Sequence, residues 1–521
     1  MLINIYGAKC VGIDAVPVTV EVDINNGIGI HLVGLADIAV KESLLRIVTA
    51  LQSMGMHIPG RKVVINLAPA DVHKKGSGYD LPIALGVIAA SGQCELPGLS
   101  KYVIMGELGL DASLRYVPGA IPIAELAGRL GFAGCILPKE SALEALNFEG
   151  TKVYGVSNLS QVLAILSETE DVSCLEVENY RSEVQLTDKP SEYMDFSEII
   201  GQDGAKRGLE IGAAGGHNVM MIGSPGSGKS SLAKALAGIL PPMTAQEAIV
   251  TSKIYSVAGK GGFRYGPSCP RPFRSPHYSA SLPAIIGGGN GDNILPGEVS
   301  LAQNGVLFLD EFAQIPKAVA EALRSPLEDR KVTISRLRSR VEYPCSFMLV
   351  AATNPCPCGY YGEGDRCTCT VGQRNAYLGR LSGPIMDRID IQLWMHAVDA
   401  KKLVDRPRGE TTREVAARVL AAREIQEERF KYESITTNAE MSNRLMNRYC
   451  PLDQECKDTL ENIINRLGLS ARAFSRVVKL ARTIADLEAV RSGSTPGPIR
   501  PSHLLEASAY RFLDRRNILD L

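Results

Sequence analysis

One glycine-rich segment constrains the fold of this chain more than any other feature. Residues 223–230 read Gly-Ser-Pro-Gly-Ser-Gly-Lys-Ser, between the apolar run 219–222 and a helix-favouring stretch. Glycines let backbone N–H groups surround phosphate oxygens, and the following helix presents its positive dipole end to them. A turn that only favours glycine would need neither Lys229, which suits the outer phosphates, nor Ser230, which suits Mg²⁺. The segment therefore predicts a nucleoside-triphosphate site in an α/β fold. The expected binding residues are Gly223, Ser224, Pro225, Gly226, Ser227, Gly228, Lys229, Ser230 and Ser231.

Two further apolar runs end in polar side chains that suit hydrolysis. Residues 305–309 are followed by Asp310 and Glu311, and residues 347–353 by Asn354. If these runs are parallel strands, their polar ends meet at one edge of the sheet. We expect Asp310 to hold Mg²⁺, Glu311 to polarise the attacking water and Asn354 to orient the water or the γ-phosphate. Seen alone, Asp-Glu could be a turn or a helix cap.

Together these motifs resemble those of the AAA+ ATPases, with Walker A at 223–230, Walker B at 305–311 and sensor 1 at Asn354. Four further segments are similar to the magnesium-chelatase-like branch, and more narrowly to the YifB/ComM family, over nearly the whole chain: 271–277, 296–302, 354–359 and 381–390. The resemblance implies ATP and Mg²⁺ as ligands. It also implies that residues 199–202 line the adenine pocket.

The same resemblance assigns roles to arginines. Arg388 is expected to be an arginine finger that completes the site of a neighbouring subunit, with Arg380 as the second candidate. Arg472 corresponds to sensor 2, and it would read the γ-phosphate together with Arg388 and Asn354. Arginine suits this work because its guanidinium matches phosphate oxygens. Each arginine could instead form a surface ion pair.

Four cysteines cluster after Asn354: Cys356, Cys358, Cys367 and Cys369. Four thiolates in so short a segment suit one tetrahedral Zn²⁺ ion, and with no other ligand type the site would be structural. Cys-x-Cys is tighter than the usual finger spacing, so reduced thiols and a redox switch stay open as alternatives.

Residues 332–343 carry arginines at every second position, namely Arg336, Arg338 and Arg340. Alternation in a strand predicts that all three share one face. A hairpin here resembles the pre-sensor hairpin of AAA+ DNA motors, which projects into a central pore and could track phosphates. The alternative is a solvated basic surface.

Composition limits the remaining classes. The formal net charge of −1 gives no general support for nucleic-acid binding, so DNA contacts would have to be local. No stretch approaches the ~20 apolar residues needed to span a bilayer, and no export signal is visible. We expect a cytoplasmic protein without a membrane partner, in which most cysteines are reduced.

Changes in composition suggest three domains. We expect a polar linker at 169–192, after an α+β domain at 1–168 whose residues 64–71, 73–80 and 105–108 resemble the Lon protease domain of the ribosomal S5 domain 2-like class. The AAA+ P-loop NTPase domain would occupy 193–398, and a helical lid that carries Arg472 would occupy 399–521.

The Lon resemblance rests on residues 64–71, 73–80 and 105–108. A Lon peptidase needs a serine activated by a lysine. Here residues 117–122 read Val-Pro-Gly-Ala-Ile-Pro, with proline in the expected place of the lysine, and Ser77 stands in an unlike context. We therefore expect a domain without peptidase activity.

Three function classes follow. The first is a homo-hexameric ATPase that moves on single-stranded or branched DNA, since the family resemblance implies branch migration during recombination of transforming DNA. The second is a magnesium-chelatase-type subunit that remodels a partner protein. The third is an ATP-dependent protease. No small-molecule substrate other than ATP is expected.

Overall fold

The computed structural model describes residues 2–34, 37–70, 73–74, 76–181, 193–260, 270–289, 294–336, 340–381, 383–398 and 409–514. Within these residues the chain forms two main sheets, of seven and five strands, and helices pack on both. The mixed α/β class is therefore confirmed, whereas the Lon-like assignment of the amino-terminal part stays a prediction. In the same residues no helix is long and apolar enough to cross a membrane.

The amino-terminal sheet consists of strands in which apolar residues alternate. Its strands and a small hairpin are β1 (Leu2–Val11), β2 (Asp14–Asn25), β3 (Gly29–Val33), β4 (Lys62–Ala68), β5 (Tyr102–Ile104), β6 (Glu107–Leu108), β7 (Leu114–Arg115), β8 (Gly134–Pro138) and β9 (Lys152–Val156). The order of the sheet is β3-β4-β2-β1-β5-β8-β9. On β2, Val18, Val20 and Val22 are buried, as the two-residue period of a strand requires. The helices of this part are α1 (Ile38–Ser53), α2 (Asp80–Ala90), α3 (Ala120–Arg129), α4 (Lys139–Ala142) and α5 (Leu159–Ser167).

Part of the predicted linker at 169–192 packs on this sheet. Residues Ser173–Leu175 and Val177–Tyr180 form short helical turns, and the Val177 side chain is buried in the amino-terminal core. Glu176 forms an isolated bridge with Tyr154 on β9. The first half of the segment is thus an extension of the amino-terminal core. Its second half, 182–192, lies outside the described residues.

The central sheet is parallel throughout. Its strands are β10 (Val219–Gly223), β11 (Phe273–Arg274), β14 (Val306–Leu309), β17 (Met348–Thr353) and β18 (Ile391–Met395), in the order β11-β14-β17-β10-β18. Each neighbouring pair is parallel. Alternate residues of β10 enter different cores: Val219 and Met221 face one, and Met220 and Ile222 face the other. Burial on both faces explains why these strands are continuous apolar runs in the sequence.

Helices and two short strand pairs surround this sheet. The helices are α6 (Asp203–Gly215), α7 (Lys229–Ile239), α8 (Ala245–Val257), α9 (Leu282–Ile286), α10 (Glu298–Leu301), α11 (Lys317–Ala322), α12 (Arg324–Asp329), α13 (Val371–Leu378) and α14 (Gly383–Met386). The strand pairs are β12 (Gly287–Gly288) with β13 (Leu295–Pro296), and β15 (Lys331–Ser335) with β16 (Arg340–Pro344).

The described carboxy-terminal residues are helical, as α15 (Thr412–Arg429), α16 (Asn443–Tyr449), α17 (Gln454–Leu467), α18 (Ala471–Ser492) and α19 (Pro501–Ala509). They share one hydrophobic cluster with a face of the central sheet. Glu210 of α6 links these helices to the central part, because its carboxylate contacts Arg418 at 2.6 Å and Arg491 at 2.8 Å as well as Arg207 of its own helix at 2.9 Å. Burial alone would raise the pKa of Glu210, but the hydrogen bonds from Arg418 and Arg207 lower it overall.

The amino-terminal part docks on α8 of the central part. Lys253 of α8 contacts Glu125 of α3 at 2.5 Å and Asp14 at 3.4 Å. The backbone N–H of Gly119 donates to the carbonyl of Ser256 at 3.0 Å. These contacts join the amino-terminal part to α8, a helix that does not carry the phosphate loop.

Candidate active site

The phosphate loop, residues 223–230, lies at the carboxyl edge of the central sheet between β10 and α7. Gly226 and Gly228 have φ values of +79° and +89°, which residues with a Cβ rarely adopt. Among the described residues no atom lies within 4 Å of the place where a Cβ would stand at either glycine. The buried Ser227 hydroxyl has no hydrogen-bond partner in the same residues. The loop is therefore an open cradle with an unpaired hydroxyl, which suits a bound phosphate chain.

Lys229 and Asn354 meet at this edge. Lys229 Nζ donates to the carbonyl oxygens of Gly223 at 2.7 Å and Ser224 at 2.9 Å, and to Asn354 Oδ1 at 3.3 Å. Burial lowers the pKa of Lys229, and the Asp310 carboxylate opposes that shift. Asn354 reaches Lys229 because β17, whose end carries Asn354, is the direct neighbour of β10. The lysine and the amide thus lie together at the carboxyl edge of the sheet.

Ser230 and Asp310 also meet. Ser230 Oγ donates to Asp310 Oδ2 at 2.9 Å, so the two residues expected to ligate Mg²⁺ are adjacent. The other carboxylate oxygen, Oδ1, accepts from the backbone N–H of Glu311 at 2.8 Å. Glu311 has a φ of +49°, an unusual conformation for a residue with a side chain, and such strain concentrates at functional sites. A hydroxyl and a carboxylate are oxygen donors of the kind that Mg²⁺ prefers.

The stretch 199–202 contacts the phosphate loop through Gln202. Its Nε2 donates to the carbonyl of Ser227 at 3.1 Å and to that of His396 at 2.6 Å. This places the predicted adenine-pocket segment directly beside the loop that would hold the phosphates.

Arg388 and Arg472 lie elsewhere. Arg388 precedes β18, and its buried guanidinium pairs with Glu328 of α12. Arg472, at the start of α18, donates to Asp387 Oδ2 at 3.1 Å, and its side chain is 65% exposed. Both arginines line one cleft of about 360 Å³.

That cleft is at the amino edge of the sheet, opposite the phosphate loop. Val219 at the start of β10 pairs with Ile391, whereas Gly223 at its end pairs with Met395. Four residues of strand separate the two edges, roughly 13 Å. The structure therefore does not bring Arg388 or Arg472 to Lys229 of the same chain. The second candidate, Arg380, is exposed after α13, with its guanidinium carbon 6.0 Å from the centre of the Tyr377 ring.

The four cysteines converge. Their sulfur atoms all lie within 4.8 Å of one another, with Cys356–Cys358 at 3.4 Å, Cys356–Cys367 at 3.8 Å and Cys358–Cys367 at 3.7 Å. Sulfurs that share a tetrahedral Zn²⁺ at about 2.3 Å stand roughly 3.8 Å apart, so the geometry of the cluster, which includes Cys369, fits that ion. The backbone N–H of Tyr360 lowers the pKa of Cys358 to about 6, whereas desolvation raises the pKa of Cys367. All four are free thiols, not disulfides.

The arginine segment forms the predicted hairpin. Strands β15 and β16 pair antiparallel, with Ser335 opposite Arg340. Arg336 and Arg340, both exposed, therefore flank the tip, and they do not continue one strand face as the alternation predicted. Arg338 lies outside the described residues. The hairpin packs against β12 and β13, where the Tyr343 hydroxyl donates to the carbonyl of Ile294 at 2.7 Å.

Glu363 contacts the phosphate loop, and the sequence did not indicate it. Its Oε1 accepts from Ser224 Oγ at 3.0 Å and from the backbone N–H of Ala397 at 2.7 Å. Glu363 and Ser224 are 139 residues apart. In the sequence, Glu363 is distinguished only by its position between the two cysteine pairs. That position does not predict a contact with the phosphate loop.

Comparison with known proteins gives matches along the chain. The family model described as "Magnesium chelatase, subunit ChlI" matches residues 195–403, "Subunit ChlI of Mg-chelatase" matches 20–141, and "Magnesium chelatase, subunit ChlI C-terminal" matches 409–511. The "Uncharacterized protein YifB" of Salmonella typhimurium is 41% identical over 98% of this chain and 97% of its own length. The "Competence protein ComM" of Haemophilus influenzae is 40% identical over the same shares. A short match to the "Archaeal Lon protease" of Archaeoglobus fulgidus, 45% identical, covers 11% of this chain and 9% of that protein.

Proposed function

The chain belongs to the YifB/ComM family of magnesium-chelatase-like AAA+ proteins, and on that premise we propose that it hydrolyses ATP to drive a ring-shaped motor on DNA. The observation that carries the ATPase proposal is the convergence of four side chains at one sheet edge. Lys229 meets Asn354, and Ser230 meets Asp310, beside an open phosphate cradle.

These residues divide the work of phosphoryl transfer. Lys229 and Asn354 bind and orient the γ-phosphate, and Ser230 and Asp310 hold Mg²⁺. Mg²⁺, when bound, neutralises the charge that develops between the β- and γ-phosphates. Glu311 takes the proton of the attacking water, since it is the carboxylate next to the metal-binding Asp310.

Arg388 and Arg472 act on the nucleotide of a neighbouring subunit. Their position at the opposite edge of the sheet supports this, as does the exposure of Arg472; Arg388 would exchange its pairing with Glu328 for the neighbour's phosphate. A site completed by the next subunit implies a head-to-tail interface, and such an interface closes into a ring when its rotation returns to the first subunit. We propose a homo-hexamer.

DNA is the proposed substrate of the motor. The support is the basic hairpin, whose exposed Arg336 and Arg340 flank its tip, and the similarity to the competence protein ComM of Haemophilus influenzae. A hairpin that carries arginines at its tip suits sequence-independent contact with phosphates. We propose branch migration or a related helicase activity on single-stranded or branched DNA, in the cytosol.

A protein-remodelling ATPase of the magnesium-chelatase type is the second candidate. The family models matched at 20–141, 195–403 and 409–511 all describe a magnesium-chelatase subunit, which favours it. An ATP-dependent protease has less support, because Ser77 donates to Glu107 and Pro122 lies within α3 where a lysine was expected.

We also propose that Zn²⁺ occupies the four-cysteine cluster as a structural ion. The sulfur separations of 3.4–3.8 Å support it, and so does the absence of other ligand types from the cluster within the described residues.

One set of assays separates these functions. ATP turnover of the purified protein is measured alone, with single-stranded DNA, with a four-way junction and with an unfolded protein. Stimulation by DNA supports the motor proposal, and stimulation by polypeptide alone would favour the remodelling candidate.

A further inference from the structure

The segment between the two cysteine pairs covers the phosphate loop. We define the cysteine loop as residues 355–370, directly after Asn354. Glu363 in this loop accepts hydrogen bonds from Ser224 Oγ of the phosphate loop and from the backbone of Ala397 after β18. One carboxylate oxygen thus joins three segments: the cysteine loop, the phosphate loop and the end of β18.

A second contact, between Gly359 of the cysteine loop and Pro225 of the phosphate loop, brings the two loops close together. Gly359 has a φ of +86°, and a Cβ at that position would stand 2.9 Å from the ring of Pro225. The cysteine loop therefore approaches the phosphate loop so closely that a larger residue would displace one of them. Gly359 follows Cys358 directly, so this contact lies beside one sulfur of the cluster.

Aromatic packing fixes the same loop on the sheet. The rings of Tyr361 and Trp394 are 6.3 Å apart and nearly perpendicular, and Arg374 lies 4.2 Å above the Tyr361 ring. Trp394 is on β18, opposite Ile222 of β10. It is the single tryptophan of the chain, so its fluorescence reports on how the cysteine loop sits beside the phosphate strand.

The cysteine loop has little regular structure of its own. In the described residues its only helical element is the three-residue turn Gly364–Arg366. Ordering such a segment costs backbone entropy, and a metal that binds both of its ends supplies the compensating free energy. Without the ion, the residues between Cys358 and Cys367 would keep the Tyr361–Trp394 packing but lose the constraint at their two ends, which helps to present Glu363 to Ser224.

We propose that a zinc ion held by Cys356, Cys358, Cys367 and Cys369 fixes the cysteine loop against the phosphate loop, and that Glu363 is the positioning residue through which the ion sets ATP affinity. The inference rests on the proposed ATPase function. Its new content is the dependence of nucleotide binding on a metal that touches neither ATP nor Mg²⁺.

The first experiment compares zinc-loaded and zinc-free full-length protein. Zinc content is measured by elemental mass spectrometry, and the metal is released with a thiol-modifying mercurial and then restored with Zn²⁺ after the mercurial is removed. The affinity for a fluorescent ATP analogue should fall about tenfold on zinc release and recover on reloading, together with a reversible shift of Trp394 emission. A preparation without zinc, or an affinity indifferent to zinc release, would overturn the proposal.

The second experiment tests Glu363 with the zinc site intact. E363A removes the acceptor, and we expect about a tenfold higher Kd and KM for ATP with kcat nearly unchanged, the size of a lost bond to a charged group. E363Q keeps an acceptor oxygen and should restore most of the affinity. D365N, at an exposed acid of the same loop, is the matched control. All three should retain zinc.

The outcomes separate this inference from the proposed function. Failure of the wild-type protein to bind the ATP analogue would refute the ATPase proposal and this inference with it. Normal binding by wild-type protein together with unchanged affinity in E363A would refute the coupling alone.

Discussion

Replacing Arg388 with alanine should abolish ATP hydrolysis. Mixing this variant with a second variant that is defective at a different residue should restore part of the activity. Arg388 stands at the amino edge of the central sheet, across a strand of about 13 Å from the phosphate loop, and its contact with Glu328 is on that side. An R388A subunit therefore keeps an intact phosphate loop but offers no finger to its neighbour. An E311Q subunit has the reverse defect.

The geometry sets the size of the repair. In rings formed from equal amounts of R388A and E311Q, a productive interface needs the phosphate loop of an R388A subunit and the finger of an E311Q subunit. With random order this occurs at about one quarter of the interfaces of a head-to-tail ring. Each variant alone should be at least ~10²-fold slower than wild type. The mixture should recover about a quarter of wild-type phosphate release at saturating ATP.

Two results would refute this reasoning. A mixture as inactive as its components would place Arg388 in the site of its own subunit. R388A with wild-type turnover would remove Arg388 from the mechanism. R380A is the matched control, because Arg380 is exposed and only loosely stacked on Tyr377; it should behave as wild type alone and gain nothing from mixing.

Three further predictions concern other residues. E311Q alone should bind ATP with wild-type affinity, whereas K229A should lose nucleotide binding. Equilibrium binding measurements test both variants. A lost affinity in E311Q, or a retained affinity in K229A, would contradict the assignments. R336A with R340A should reduce DNA-stimulated turnover and the salt dependence of DNA binding while basal turnover stays unchanged; equal loss of basal turnover would point to a folding defect. E210Q should lower the free energy of unfolding by about 3 kcal/mol at pH 7, because it breaks a buried ion cluster. Since the pKa of Glu210 is lowered in the folded state, its stabilisation is present above the unfolded pKa and is lost as pH falls through the folded one. In denaturant unfolding, the difference in the free energy of unfolding between wild type and E210Q should therefore be smaller at acidic pH than at pH 7. An equal difference at both pH values would contradict the ion cluster.

The sequence predicted the central part of the site because parallel strands impose a simple rule. Polar residues at the carboxyl ends of buried apolar runs meet at one edge, and the Lys229–Asn354 and Ser230–Asp310 contacts are its result. The four-cysteine cluster was predictable for a similar reason, since the thiols are close in sequence and a shared ion needs them close in space.

The remaining features depend on packing that has no local signal. The contact between Glu363 and Ser224 joins segments far apart in the chain. The burial of Arg388 against Glu328 depends on how α12 packs beside the start of β18. That Arg336 and Arg340 flank the tip of the hairpin rather than share one strand face was missed because the stretch lacks the Asn-Gly or Asp-Gly signal that would locate the reversal, and its alternating arginines continue the strand pattern.

The most direct test of the account is ATP turnover of the wild-type protein with and without a four-way DNA junction, together with its mass in the presence and absence of ATP. Turnover should rise with DNA, and ATP should drive assembly to the mass of a hexamer. A monomer at saturating ATP, or turnover indifferent to DNA, would contradict the proposal of a ring-shaped DNA motor.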